Sequence, residues 1–560
     1  MGAALTDNAA TISPVLTEDQ WQRFELFGDE FRPSAGDVLF SAGDQWYPVI
    51  LVDSGHVTVV RPESDCLPET DVAGYDSRSF VGELGALSGQ RAFLTARVST
   101  PGRMLRVDRA ALRRVMSEDD ELAEILLRTF WQRRELLTHG PAALTLKIIG
   151  PARSREVLAL RTYAARFELA HVWADCEPDD DEIAHLAIVP SDLPVVLVQG
   201  TAIRNATPGM VSEQLGLSYA EAESTTVDLA VIGAGPAGLA AAIYGASEGL
   251  STVILDGVAP GGQAATTSRI ENYLGVPYGV SGASLTGSAQ LQAIKFGVQI
   301  FAPCEVVALE KEDGCIVLPL TDGARVHARS VIVATGAAYR SLALDRWAEF
   351  EGVGIFYAAT PLETKQVEGS PVVVVGGANS AGQAALFLSA NSCTVHLIVR
   401  GPALGATMSA YLVDRLVDDP RVTIHTSTQI VDLAGEVALD GVTLSTGETL
   451  DCRGMFCFIG AEPATSWLDA AAKDEHGFVL TGSDLSLDTT AHAFAELGRG
   501  PLPFETSVPG VFAAGDVRRG SMKRVAAAVG EGSSAVASVH QALAWLSPRS
   551  APERSRATPR

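Results

Sequence analysis

Between residues 17 and 110 short apolar runs alternate with polar turns: AGDVLFSAGDQ, YPVILVDSGHVTVVRP, FVGELGALSGQ, LTARVST and MLRVDR. Gly36, Gly43-Asp44 and Ser54-Gly55 punctuate these runs. Short strands at this spacing predict a small all-β barrel or sandwich. The period then lengthens. In RAALRRVMSEDDELAEILLRTFWQRRELLT, residues 109–138, Leu122, Ile125, Leu126 and Phe130 recur on one side, which predicts helix. Residues 146–222 read as strand (LKIIG), helix (SREVLALRTYAARFE), strand (AHVWADCE), hairpin (LPVVLVQGTAI) and helix (TPGMVSEQLGL), a compact α/β unit. After the bridge EAESTT, strands and helices alternate from 227 to about 546. Residues 1–16 and 547–560 are polar or Pro-, Ser- and Arg-rich, and both are expected to be disordered tails.

At 560 residues the chain has room for several domains. A hydrophobic content of 47% against 19% charged residues predicts large cores. The net charge of −25 argues against nucleic acid, whose binders need a basic footprint, and against anionic membrane. No apolar run approaches the ~20 residues that span a bilayer, and the N-terminus lacks a basic segment followed by an apolar one, so no signal peptide is expected. The cysteines at 66, 176, 304, 315, 393, 452 and 457 form no C-x-x-C, which suits a reducing cytoplasm.

Chemistry enters with two glycine-rich loops. In DLAVIGAGPAGLAAAIYGASEGLSTVILDG a strand meets Gly233, Gly235 and Gly238 in G-x-G-x-x-G, and a helix follows through Pro236 and Ala237. The first glycine permits the turn, the second lets backbone approach a pyrophosphate, and the third lets helix pack on strand. The anion then sits at free helix N–H groups. The next strand ends in Asp256, placed to accept from a ribose hydroxyl. The second loop, SPVVVVGGANSAGQAALFLSANSCTVHLIVRG, carries Gly376 and Gly377, then Asn379, Ser380 and Ala381 at a helix start. Its following strand ends in Arg400 rather than an acid, which favours a 2′-phosphate and hence NADPH over NADH.

With these motifs in place, residues 227–546 resemble the thioredoxin-reductase-like flavoproteins through GAGPAGLAAA, GGQAATTSRIENYLGVP, VIVATGA, VVVVGGANSAGQAA, FCFIGAEPAT and PGVFAAGDVRRGSMKRVAAAVGEG. The resemblance implies two Rossmann-like domains: FAD on 225–344 with 469–546, and NADPH or NADH on 345–468. It further implies Gly262, Gln263, Asn272, Ala334, Thr335, Gly336, Gly515, Asp516, Arg524 and Val525 at the flavin, and a homodimer. Residues 17–140 resemble the cyclic-nucleotide-binding domain, with Gly82, Glu83 and Leu84 as the ribose turn and Arg91 as the candidate phosphate ligand. The residues after that arginine are Ala92-Phe93-Leu94, where the family has small ones. Residues 146–222 look like a thioredoxin or glutaredoxin fold without its cysteines, with Leu193-Pro194 as the expected cis peptide.

The departure that decides the chemistry lies just before the second loop. Members that reduce thioredoxin have Cys-Ala-Thr-Cys there, and this chain has Ala358-Ala359-Thr360-Pro361. No thiolate can attack or resolve, so a flavin-to-disulfide relay is unavailable. Cys452 and Cys457 are expected on opposite faces of one strand. The sequence therefore predicts a cytoplasmic FAD-dependent NAD(P)H oxidoreductase whose electron acceptor is not an internal disulfide. The candidates are oxygen, a quinone, a ferredoxin or flavodoxin, or another protein's disulfide. The N-terminal barrel is a candidate regulator responding to a cyclic nucleotide. The alternative is an FAD- and NAD(P)H-binding sensor or scaffold with little turnover; an ordinary thioredoxin reductase comes last.

Overall fold

The computed structural model describes residues 14–546 apart from 46, 64–67, 138–145, 152–153, 176–188, 199–200, 220–225, 268–269, 313, 360, 407, 437, 487–492 and 496. The expectations for the tails up to residue 13 and beyond 546, and for Cys66, Cys176 and Thr360, lie outside these residues. The chain forms two compact units. One comprises Met1–Tyr219, Asp256–Cys304 and Ala338–Glu462; the other comprises Ala220–Leu255, Glu305–Ala337 and Pro463–Arg560.

The first unit begins with α1 (Glu18–Glu25), started by a capping box in which Thr17 and Gln20 satisfy each other's backbone N–H. The last residue of the expected tail is packed rather than loose. Leu16 is buried in the core and its N–H donates to Arg78 O (2.9 Å). Eight strands follow as two four-stranded antiparallel sheets. One runs Asp29–Phe31, Met104–Val107, Val49–Val52, Ser79–Val81; the other runs Val38–Phe40, Thr95–Thr100, His56–Arg61, Thr70–Tyr75. The short α2 (Glu83–Ser88) interrupts them. The stretch expected to be one helix is two, α3 (Arg109–Glu118) and α4 (Asp120–Leu137). Asp119 between them is extended, and its carboxylate accepts from Leu122 N–H (3.0 Å), which starts the second helix as an N-cap does. Leu122, Leu126 and Phe130 are buried as the periodicity requires.

The central module has strand order Val172–Ala174, Leu146–Ile149, Val195–Val198, Thr201–Ile203, the first pair parallel and the others antiparallel. Helices α5 (Arg155–Arg166) and α6 (Pro208–Leu215) supply its core, capped by Ser154 and Thr207. The Leu193-Pro194 peptide is cis.

In the second unit a parallel array of Thr252–Leu255, Val227–Ile232 and Arg325–Val333 carries α7 (Pro236–Ser247) directly after its middle strand. The strand Arg325–Val333 changes partner along its length. Its first half pairs antiparallel with Cys315–Pro319, and its second half pairs parallel with Val511–Ala513. Back in the first unit, α8 (Gly282–Lys295) packs on α2 and α4. A five-stranded parallel sheet then runs Ile355–Phe356, Gly454–Cys457, Pro371–Val375, Thr394–Val399, Val422–Thr426, with α9 (Pro361–Val367), α10 (Asn379–Ala390) and α11 (Ala410–Asp418). The second unit closes with α12 (Val525–Leu546), which packs on α7.

Candidate cofactor and ligand sites

The first glycine-rich loop is shaped by contacts that exclude side chains. Gly233 has φ 103°, and a Cβ there would lie 2.4 Å from Ala334 O. A Cβ at Gly238 would lie 1.8 Å from Gly233 O, so helix and turn touch backbone to backbone. Gly235 is the N-cap of α7 and offers no side-chain cap, with Pro236 next. The N–H groups of the first turn, including those of Ala237 and Gly238, are left open to an anion. A Cβ at Gly515 would sit 2.8 Å from that of Ala237, and Gly515 N–H donates to Glu531 on α12 (2.8 Å). Burial raises the carboxyl pKa of the neighbouring Asp516, with Lys523 opposing and Glu531 adding to the rise. Thr335 anchors its loop by donating to Ala464 O (2.8 Å), and Gly336 is left-handed over open space. Arg524 is exposed where α12 begins at Val525. This arrangement fits a dinucleotide pyrophosphate. Nothing in the sequence pattern flagged Glu531, whose carboxylate also holds Arg518 (2.9 Å).

In the other unit Asp256 directly follows the strand Thr252–Leu255. Its carboxylate accepts from Val258 N–H and Ala259 N–H, both at 2.9 Å. Arg166, at the end of α5, lies close enough to feel Asp256, Tyr339 and Glu363; burial lowers its pKa and these three neighbours oppose the fall. No pattern in the sequence marks this arginine. Gly262 and Gln263 start a short 3₁₀ turn, and Asn272 is exposed. In the second glycine-rich loop Gly376 has φ 147°, and a Cβ there would meet Phe458 O at 2.5 Å. Ala378 is the N-cap of α10 without a side-chain cap, so the N–H groups near Ser380 and Ala381 are again open. Asn379 is partly committed, since its Oδ1 accepts from Ser409 N–H (2.7 Å). Arg400 directly follows the strand Thr394–Val399 and is exposed.

In the barrel, Gly82 is left-handed (φ 101°) and a Cβ there would meet Pro48 O at 2.6 Å. The backbone at Glu83 and Leu84 starts α2. The Tyr47 ring stacks on Phe40 with centroids 4.4 Å apart, and its hydroxyl stands where a side chain at Gly85 would be. Arg91 does not simply line the barrel. Its N–H donates to Leu215 O of α6 (3.0 Å), and its Nε is buried without a hydrogen-bond partner.

Residues 227–532 match the profile of the pyridine nucleotide-disulphide oxidoreductases, and residues 31–119 match that of the cyclic nucleotide-binding domain. The first match spans more than half of the chain. This chain belongs to the pyridine nucleotide-disulphide oxidoreductase family. Among its relatives, thioredoxin reductase of Treponema pallidum (strain Nichols) is 34% identical over 328 residues, covering 58% of this chain and 98% of that protein. NADPH-dependent thioredoxin reductase 3 of Arabidopsis thaliana is 33% identical over 333 residues, 56% of this chain and 58% of that protein. Among solved structures, thioredoxin reductase of T. acidophilum is 29% identical, with TM-score 0.49 over 56% of this chain and 98% of that one.

In this oxidoreductase the turn before the second loop is packed rather than reactive. The rings of Tyr339 and Tyr357 stack 5.1 Å apart and 3° from parallel. The Tyr357 hydroxyl donates to Glu351 (2.8 Å) and accepts from Trp347 Nε1 (3.1 Å); burial and Glu351 raise its pKa. Ala359 is buried, and Pro361 opens α9. The nearby cysteines are no substitute. Cys393 is buried and its thiol donates to Val367 O (3.4 Å). Cys452 and Cys457 do not lie on opposite faces of one strand. Cys452 lies between the strands Thr449–Asp451 and Gly454–Cys457, with a bend at Arg453, and both side chains enter the same core. Burial raises all three thiol pKa values, that of Cys452 to about 12. Native protein at neutral pH is therefore expected to leave these three thiols unalkylated while unfolded protein alkylates fully, as mass spectrometry of tryptic peptides would read. Rapid native labelling at any of the three would contradict the burial. Among the described residues no helix is long and apolar enough to cross a membrane, and no group of three or more acidic, His or Cys side chains is arranged to hold a metal ion.

Proposed function

We propose that this family member is an FAD-dependent NAD(P)H oxidoreductase that delivers electrons to an acceptor other than a disulfide of its own, working in the cytoplasm as a homodimer. The observation that carries the reading is the turn at Ala358–Pro361. It has no thiol in sequence, and its neighbouring cysteines are buried, which raises their thiol pKa values. The central module supports it. Leu158 of α5 packs against the core that contains Phe356, Ala359 and Val367, and a Cβ at Gly352 would lie 3.4 Å from Arg155 Cγ. The turn thus has α5 packed against its core.

Bound FAD would supply the two-electron chemistry. The protein's residues do the holding. The open N–H groups of α7 take a pyrophosphate, Asp256 is the candidate ribose ligand, and Glu531 fixes the Gly515-Asp516 turn. The α10 start and Arg400 suit a nicotinamide dinucleotide, with the exposed guanidinium free to meet a 2′-phosphate. We also assign a cyclic mononucleotide to the barrel, on the strength of its profile match, Gly82 and Arg91.

The test is steady-state NADPH and NADH oxidation against ferredoxin, flavodoxin, a quinone, and thioredoxin. At least one non-disulfide acceptor is expected to turn over well above the oxygen background, and thioredoxin is not. Efficient thioredoxin reduction by the purified chain alone would overturn the proposal.

A further inference from the structure

The barrel's phosphate segment is already in use. Arg91 N–H donates to Leu215 O, at the C-terminal end of α6 (3.0 Å). A Cβ at Gly216, the left-handed residue that ends α6, would lie 3.0 Å from Arg91 Cγ and 3.4 Å from Nε. Phe93, two residues on, packs against the barrel core and the module core at once. The bulky residue that departs from the family pattern is therefore an interdomain contact. The electronegative end of a helix lies where the resemblance would put a cyclic phosphate.

The same helix reaches the segment that holds Asp256. Ser212, about one turn before Leu215, is fully buried, and its hydroxyl donates to Ala302 O (2.9 Å). Tyr163 of α5 donates to the same carbonyl (3.3 Å). Residues on either side of Ala302 bracket Asp256: Asp256 N–H donates to Phe301 O (3.0 Å) and Cys304 N–H donates to Asp256 O (2.7 Å). Ala259, whose N–H holds the Asp256 carboxylate, has its side chain in the module core. Contacts thus run without a gap from Arg91 through α6 and Ala302 to the turn of Asp256.

We propose that α6 is a coupling element: a cyclic mononucleotide at Arg91 competes with the C-terminus of α6, and release of that end slackens the Ala302 tether and weakens FAD at Asp256. The proposal rests on the assignment of a cyclic mononucleotide to the barrel. Linkage requires only that the nucleotide bind unequally to the docked and released states of α6, and competition at Arg91 supplies that inequality.

The experiment reconstitutes the full chain with FAD and measures its dissociation constant by flavin fluorescence, with and without saturating cyclic AMP or cyclic GMP. FAD affinity is expected to fall at least fivefold with one nucleotide, and nucleotide affinity, measured by calorimetry, is expected to fall by the same factor when FAD is loaded. Arg91→Ala should lose nucleotide binding and the shift together. Ser212→Ala should keep nucleotide binding but reduce the shift to less than twofold, and Tyr163→Phe, which removes the other donor to Ala302 O, should do so in part if the serine variant misfolds. Hydrogen exchange across residues 208–217 should quicken with nucleotide. No heat with either nucleotide overturns the barrel assignment and the coupling with it. Nucleotide binding that leaves FAD affinity unchanged, or a shift that survives in both Ser212→Ala and Tyr163→Phe, overturns the coupling alone.

Discussion

Gly238→Ala is expected to give protein that purifies colourless and takes up no added FAD. The added methyl would stand 1.8 Å from Gly233 O, which is backbone and cannot swing away. Gly233 is itself fixed from the far side, where a Cβ would come within 2.4 Å of Ala334 O. The clash can be relieved only by lifting α7 off its strand, and that moves the open N–H groups away from the pyrophosphate. Overpacking of this kind costs typically 1–3 kcal/mol even in side-chain cores. Gly530→Ala is the matched control. It lies inside α12, has no atom within 4 Å of its added methyl, and should keep its colour while gaining up to about 1 kcal/mol in helix stability. The visible flavin spectrum of both proteins checks the prediction, and a yellow Gly238→Ala protein would refute it.

The second large effect is expected from Arg499→Ala. Glu505 is completely buried. Its carboxylate accepts from both terminal guanidinium nitrogens of Arg499 (2.5 and 2.8 Å), from Leu502 N–H (2.7 Å) and from Gly510 N–H (2.9 Å). Removing the arginine strands a buried charge, which costs about 3–5 kcal/mol. Removing both charges with apolar residues of similar volume should cost less than the single change. The loop that Glu505 ties down leads into Val511–Ala513 and then Gly515-Asp516, so the loss should also show in flavin retention. Denaturant unfolding followed by flavin release reads both variants. Equal stability of Arg499→Ala and the parent would contradict the account.

What could be read from the chain, and what could not, divides along local and tertiary lines. The two loops were legible because each requirement is local: a strand, a glycine forced left-handed at 233 or 376, and a helix start without a side-chain cap. The short strands of the barrel were legible for the same reason. The break at Asp119 was missed because an aspartate in a helical period looks like any polar position until its carboxylate is seen to cap the next helix. The faces of Cys452 and Cys457 were misjudged because the spacing argument assumes both lie on one strand, and a bend removes the first from it. Arg91 is legible as a candidate ligand but its partner is not, since Leu215 is more than a hundred residues away and contributes only a carbonyl oxygen. Arg166, Ser212 and Glu531 carry no pattern at all and acquire meaning only from what they touch.

Phe93 has a practical consequence for anyone dissecting this protein. Its ring belongs to two cores, so cutting the chain between barrel and module would not release two finished domains. Each piece would carry an apolar scar where the aromatic ring had been shared, and the barrel fragment would present that ring to water beside Arg91. Fragments made for crystallisation or binding assays should aggregate through that scar, and an affinity measured on an isolated barrel would describe a phosphate segment relieved of its internal rival.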